Sequence, residues 1–191
     1  MRVRVPTAYA DILFGRQNPS GKLVNTFPTR VGQAPLYYNH NNTGKPPVEE
    51  FFWTSKYIDA PIEPLFPFGY GLSYTEFEYS DMELSSYEAE RGSVITVSVN
   101  VKNVGEYDGY ETVQFYVTDK VASYTRPVKE LKAFKKVFVK KGGQVRASAE
   151  LDTAKMGFHN RKLEYIVEPG EFVISAGKNS EDVLQKNLCL I

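Results

Sequence analysis

The side chains most able to do chemistry in this chain are few and scattered. Its two histidines, His40 and His159, stand 119 positions apart with no cysteine or paired acid at metal-ligand spacing. A structural or exposed histidine is the reading for both, and no metal or cofactor is expected. The glycines of "GYGLSY" lead into a strand rather than a helix, so they read as a turn and not as a phosphate loop. Ser73 lies in "GLSYT", outside any G-x-S-x-G elbow. Carboxylates cluster in "PPVEEFF" and "YIDAPIEP". Hydrolysis of a glycosidic bond with retention needs two such acids about 5–5.5 Å apart, a spacing that sequence does not display. "PLYYNHNNTGKPP" gathers Tyr37, Tyr38, His40 and three asparagines into one loop. Aromatic faces and amides of this kind can hold a sugar, and they can equally order a loop between domains; both readings stay open for Tyr37, Tyr38, His40 and Asn41. "NNT" from Asn41 to Thr43 also fits an N-glycosylation acceptor, a frequent chance match.

Composition narrows the partners. The chain has 191 residues, 42% of them hydrophobic and 14% aromatic, which is enough for a real core. Lys plus Arg equals Asp plus Glu at 23 each. A zero formal charge argues against nucleic acid or an anionic membrane as partner. With one cysteine, Cys189, no internal disulfide forms, and its place in a terminal apolar run predicts a small core residue. No apolar run approaches the roughly 18 residues that a membrane span needs. The start, "MRVRVPTAYA", lacks the apolar stretch of a signal peptide.

The elements that would position these residues change character near Thr75. Residues 1–74 are rich in Pro and Gly punctuation, with "AYADILFG" as one helix end. There Ala10, Ile12 and Leu13 are expected to share a face and Gly15 to cap the end. From residue 75 onward the apolar period is two. Ile95, Val97, Val99 and Val101 form one row, as do Val113, Phe115 and Val117, and Val145, Ala147, Ala149 and Leu151. Gln114 and Tyr116 should then face solvent. "GEFVISAG" and "DVLQKNLCLI" add two more strands. About seven short strands predict a mostly β fold, an immunoglobulin-like antiparallel β-sandwich, behind an irregular segment that reads as the edge of something larger.

Five stretches carry a resemblance: "ADILFGRQNPSGKLVNTFP", "GQAPLYYNHNNTGKP", "EPLFPFGYGLSYTEFEYSD", "VASYTRPVKELKAFKKVFVKKGG" and "VEPGEFVISAGKNSED". From about Ala10 to the last strand they closely resemble the C-terminal region of glycoside hydrolase family 3, including the periplasmic β-glucosidases of bacteria. The resemblance implies a parent with an N-terminal barrel, an α/β sandwich domain and a fibronectin type III-like domain. Residues 1–74 would be the tail of the second and 75–191 the whole of the third. It implies a retaining, periplasmic or secreted β-glycosidase whose nucleophile and acid/base lie on the barrel and earlier in the α/β domain, so no residue here matches a catalytic role. The upstream domains would be the partners, and β-linked oligosaccharide would be met only through the parent. Phe66, Phe68, Tyr70 and Tyr74 would fill the inter-domain seam. The expected function is non-catalytic domain packing and stability; a stand-alone module that binds carbohydrate or protein is the alternative. Fold-back on the sandwich is expected for Phe66–Tyr74, and self-association for Tyr37–Trp53.

Overall fold

The computed structural model describes residues 5–48 and 50–191; the first four residues, and Glu49 of the "PPVEEFF" acids, lie outside them. Helix α1 spans Val5–Leu13. Gly15 ends it with φ of 71°, and its N–H bonds the Ile12 carbonyl at 3.0 Å. The expected apolar face is not buried: Ala10 is half-buried, and Ile12 and Leu13 are exposed. A side-chain bond from the Tyr74 hydroxyl to the Ile12 carbonyl ties the helix to the later part of the segment.

Ten strands follow. They are β1 (Phe77–Leu84), β2 (Glu88–Ala89), β3 (Val94–Asn103), β4 (Gly109–Asp119), β5 (Glu130–Val139), β6 (Gln144–Asp152), β7 (Phe158–His159), β8 (Tyr165–Ile166), β9 (Gly170–Gly177) and β10 (Val183–Leu190). Seven are long; β2, β7 and β8 are two-residue strands. One sheet has the order β1-β3-β6 and the other β2-β10-β9-β4-β5. The chain leaves the first sheet after β1, and β2 then pairs parallel with β10 in the second. All long pairings are antiparallel, so one row of each strand can face the other sheet.

Those inward rows form one core. Ile95, Val97, Val99 and Val101 of β3 meet Val113, Phe115 and Val117 of β4, with Phe172, Ile174 and Leu188 from β9 and β10. The alternation of β3 and β6 therefore sorts faces as the sequence implies. Three residues in other strands differ from what the sequence implies. Cys189 is half-buried and points away from the core row of Leu188 and Leu190, because its place in the strand alternation puts it on the outer face. In β4, Gln114 and Tyr116 are buried as well as Phe115. Around Gln114 and Tyr116 the outer face of that strand is not solvated, and its cover there is the segment before β1.

Candidate functional site

The segment is built from short extended pieces because proline at positions 28, 35, 61, 64 and 67 interrupts any longer element. Two pieces still pair. Phe27 and Phe66 exchange backbone hydrogen bonds at 2.8 and 3.2 Å, Leu23 N–H donates to the Tyr70 carbonyl at 2.7 Å, and Gly69 N–H donates to Leu23 at 2.8 Å. This irregular ribbon lays the turn at Gly69 on the outer face of β4.

There the contact is tight. Gly69 has φ of 80° and is buried. Gln114 Nε2 donates to the Gly69 carbonyl at 3.1 Å and to the Lys178 carbonyl at 2.6 Å, while Gln114 Oε1 accepts from the Tyr116 hydroxyl at 2.6 Å. Ser180 N–H donates to the Phe68 carbonyl at 2.9 Å. Tyr38 stacks on Phe68 with ring centroids 4.1 Å apart and meets Tyr116 edge-on at 6.0 Å. Its hydroxyl accepts from Leu131 N–H at 3.2 Å. Burial, reinforced by Tyr38 and Glu181 nearby, drives the Tyr116 hydroxyl pKa above its ordinary value, so it stays a proton donor. Each buried polar atom of this cluster has its partner, which is the condition for polar groups to stabilise rather than weaken an interface.

A second tie lies beside it. Lys22 Nζ donates to Glu111 Oε1 at 2.9 Å, with side chains only 16% and 5% exposed, and the Tyr79 hydroxyl donates to the same oxygen at 2.8 Å. Burial first, and then the Glu111 charge, push the Tyr79 hydroxyl pKa far up. At the junction, Asn18 Oδ1 accepts from Ser73 Oγ and from Tyr74 N–H, both at 2.9 Å. The Tyr74 hydroxyl donates to the Ile12 carbonyl at 2.6 Å.

The structure does not gather the candidate residues into one site. Tyr38 and Phe68 belong to the Gln114 cluster. Phe66 packs with Phe27 and Tyr70, and together with Leu23 they line an apolar cavity of about 730 Å³. Tyr74 is exposed at the junction. Tyr37 and His40, with Tyr38 between them, line a different cavity, about 350 Å³, facing Glu63, Lys129 and Glu181. The His40 carbonyl accepts from Val128 N–H at 2.9 Å, and Asn41 bridges to Pro127, which fixes the loop against the start of β5. His159 is exposed. Phe51 and Phe52 pack on Trp53 and all three remain exposed. Among the described residues no group of histidine, cysteine and acids could hold a metal. Asp119 and Glu130 both approach Arg126, at 3.9 and 2.9 Å, as its ion-pair partners.

Sequence reasoning missed Gln114, Glu111, Lys22 and Tyr79. For Gln114 a signal existed: it sits between Val113 and Phe115 in a strand flanked by aromatics on both faces. The Lys22–Glu111 pair left no such mark, because its partners are 89 positions apart.

Known proteins place this arrangement. Residues 5–74 match the glycosyl hydrolase family 3 C-terminal domain, and residues 111–180 match the fibronectin type III-like domain. The chain is 45% identical over 186 residues to the periplasmic beta-glucosidase of Salmonella typhimurium, covering 96% of this chain and 24% of that protein. It is likewise 45% identical over 183 residues to thermostable beta-glucosidase B of Acetivibrio thermocellus, at 94% and 24% coverage. The crystal structure of the β-glucosidase from Listeria innocua in complex with glucose superposes with a TM-score of 0.88 at 43% identity, over 95% of this chain and 26% of that one. The chain thus spans about a quarter of the length of these relatives. It belongs to glycoside hydrolase family 3 and corresponds to the C-terminal portion of its β-glucosidases.

Proposed function

We propose that the chain is the non-catalytic C-terminal part of a retaining β-glucosidase, in which residues 75–191 form the platform and residues 1–74 are the rim of the α/β domain held on it. The observation that carries this reading is the Gly69–Gln114–Tyr116 cluster, which ties the segment to the sandwich with every buried polar atom used. The apolar cavity beside Phe66 and Tyr70 is then a seat for the upstream domains, and Phe66, Phe68, Tyr70 and Tyr74 are seam residues. Tyr37, Tyr38, His40 and Asn41 form a loop at that boundary, ordered by Val128 and Pro127, through which β-linked oligosaccharide is approached in the parent. The relative from Salmonella is named periplasmic, which supports a periplasmic or secreted parent.

Retaining hydrolysis needs two carboxyl groups flanking the sugar, and the resemblance puts both upstream of the matched regions. The purified chain should therefore leave aryl β-glucosides intact. Turnover that survives removal of contaminants would overturn the reading.

A further inference from the structure

The outer face of the five-stranded sheet is covered only in part. Along the β4–β5 register, Tyr110 stands opposite Phe138, Thr112 opposite Lys136 and Gln114 opposite Phe134, all on one face. Gln114 lies under Gly69, but the rest is open: Phe134 is 69% exposed, Tyr110 49% and Phe138 44%. The rings of Tyr110 and Phe138 are 5.0 Å apart, and Lys136 Nζ sits 5.1 Å from the Tyr110 ring centroid. The charge here is as uneven as the hydrophobicity. Residues 129–141 hold six lysines and one glutamate in a chain whose formal charge is zero. Lys129, Lys132 and Lys141 have carboxylate partners; Lys135, Lys136 and Lys140 have none among the described residues. Since β5 is an edge strand, lysines protect it from pairing with another chain. That role accounts for the lysines but not for two phenylalanines left open between them.

We propose that this face binds an anionic sugar polymer. Aromatic faces separated by about 13 Å between Phe134 and Phe138, from the strand rise, give stacking surfaces for successive sugar rings. Lys136, with Lys140 just past the end of the strand, supplies ammonium groups for carboxylates on the polymer; Lys135 stands opposite Val113 and so falls on the other face. The choice of a sugar polymer rests on the reading of the chain as part of a glycoside hydrolase; the charge and the aromatic spacing come from the face itself.

Affinity electrophoresis of the full chain tests it, through gels holding carboxymethylated β-glucan, the unmodified β-glucan, or double-stranded DNA. Retardation by the charged glucan, weakened by salt and at least tenfold stronger than by the neutral one, is expected. The Phe134→Ser/Phe138→Ser variant should bind the charged glucan at least tenfold more weakly. The Lys136→Gln/Lys140→Gln variant should lose both affinity and salt dependence. These side chains are at the surface, so circular dichroism and thermal midpoints should match the wild type. No retardation by the charged glucan would overturn the proposal. So would equal retention by DNA that ignores the aromatic changes, or equal retention by the neutral glucan. Turnover of aryl β-glucosides by the chain bears on the packing reading alone, so the two fail separately.

Discussion

Replacing Gly69 by alanine should detach the amino-terminal segment while leaving the sandwich folded. A Cβ built there would lie 1.9 Å from Gln114 Oε1 and 2.7 Å from its Cδ and Nε2, and the backbone sits at φ of 80°. The left-handed conformation alone costs an alanine about 1–2 kcal/mol. Gln114 must also swing away, which breaks its bonds to the Gly69 and Lys178 carbonyls and leaves the Tyr116 hydroxyl without its acceptor. An orphaned buried polar group costs about 1–3 kcal/mol. The two effects together come to about 2–5 kcal/mol, charged against the docking of the segment and not against the core. Amide hydrogen exchange separates these. Protection should fall at Leu23, Phe27 and Gly69, whose N–H groups close the ribbon, and should persist at Val97 and Val99 of β3. Adding Gln114→Ala should recover part of the loss by removing the clash. Unchanged protection across the ribbon, or loss spread equally into β3, would refute the reasoning.

Other perturbations reach the remaining ties. Glu111→Gln leaves the Lys22 ammonium half-buried without its carboxylate, and breaking a buried pair in this way costs about 3–5 kcal/mol; a denaturant midpoint within error of the wild type would contradict it. Burial holds the Asp119 carboxyl above its ordinary range, against the pull of Arg126. Its contribution to stability is therefore full below the unfolded aspartate value of about 3.9 and is lost as pH rises through the raised native value. Asp119→Asn should gain stability relative to the wild type as pH rises through that window, and urea midpoints that keep a constant difference would contradict the assignment. Exposed Phe51, Phe52 and Trp53 should drive self-association, visible by light scattering across a concentration series and reduced by Phe52→Ser; a strict monomer at high concentration argues against it.

How much of this was legible in the sequence depends on the range of the interaction involved. The inward rows of β3 and β6 follow from alternation, because burial on one face is a local pattern. Strand β5 did not stand out, since an edge strand with lysine at 132, 135 and 136 breaks that pattern. The turn at "PFGYG" was readable from its glycines, but its landing place on Gln114 was not: alternation predicted solvent there, and a contact between residues 45 positions apart supplied cover instead. The exposed face of α1 fails for a similar reason, because an apolar row says that something should cover it and not whether this chain provides it. The loop of Tyr37 to Asn41 read as one unit in sequence, and Tyr37, Tyr38 and His40 do line one cavity; the stacking of Tyr38 on Phe68, 30 positions away, left no local mark.

The central claim, that this chain supplies the packing platform and not the catalytic groups, is met most directly by a chimera. The matching portion of the Salmonella β-glucosidase is replaced by this chain, and hydrolysis of an aryl β-glucoside is followed with temperature. The account predicts an active chimera, with Gly69→Ala lowering its inactivation temperature while leaving the rate at low temperature close to the unsubstituted chimera. A folded chimera without activity, or one whose thermal tolerance ignores Gly69→Ala, would contradict it.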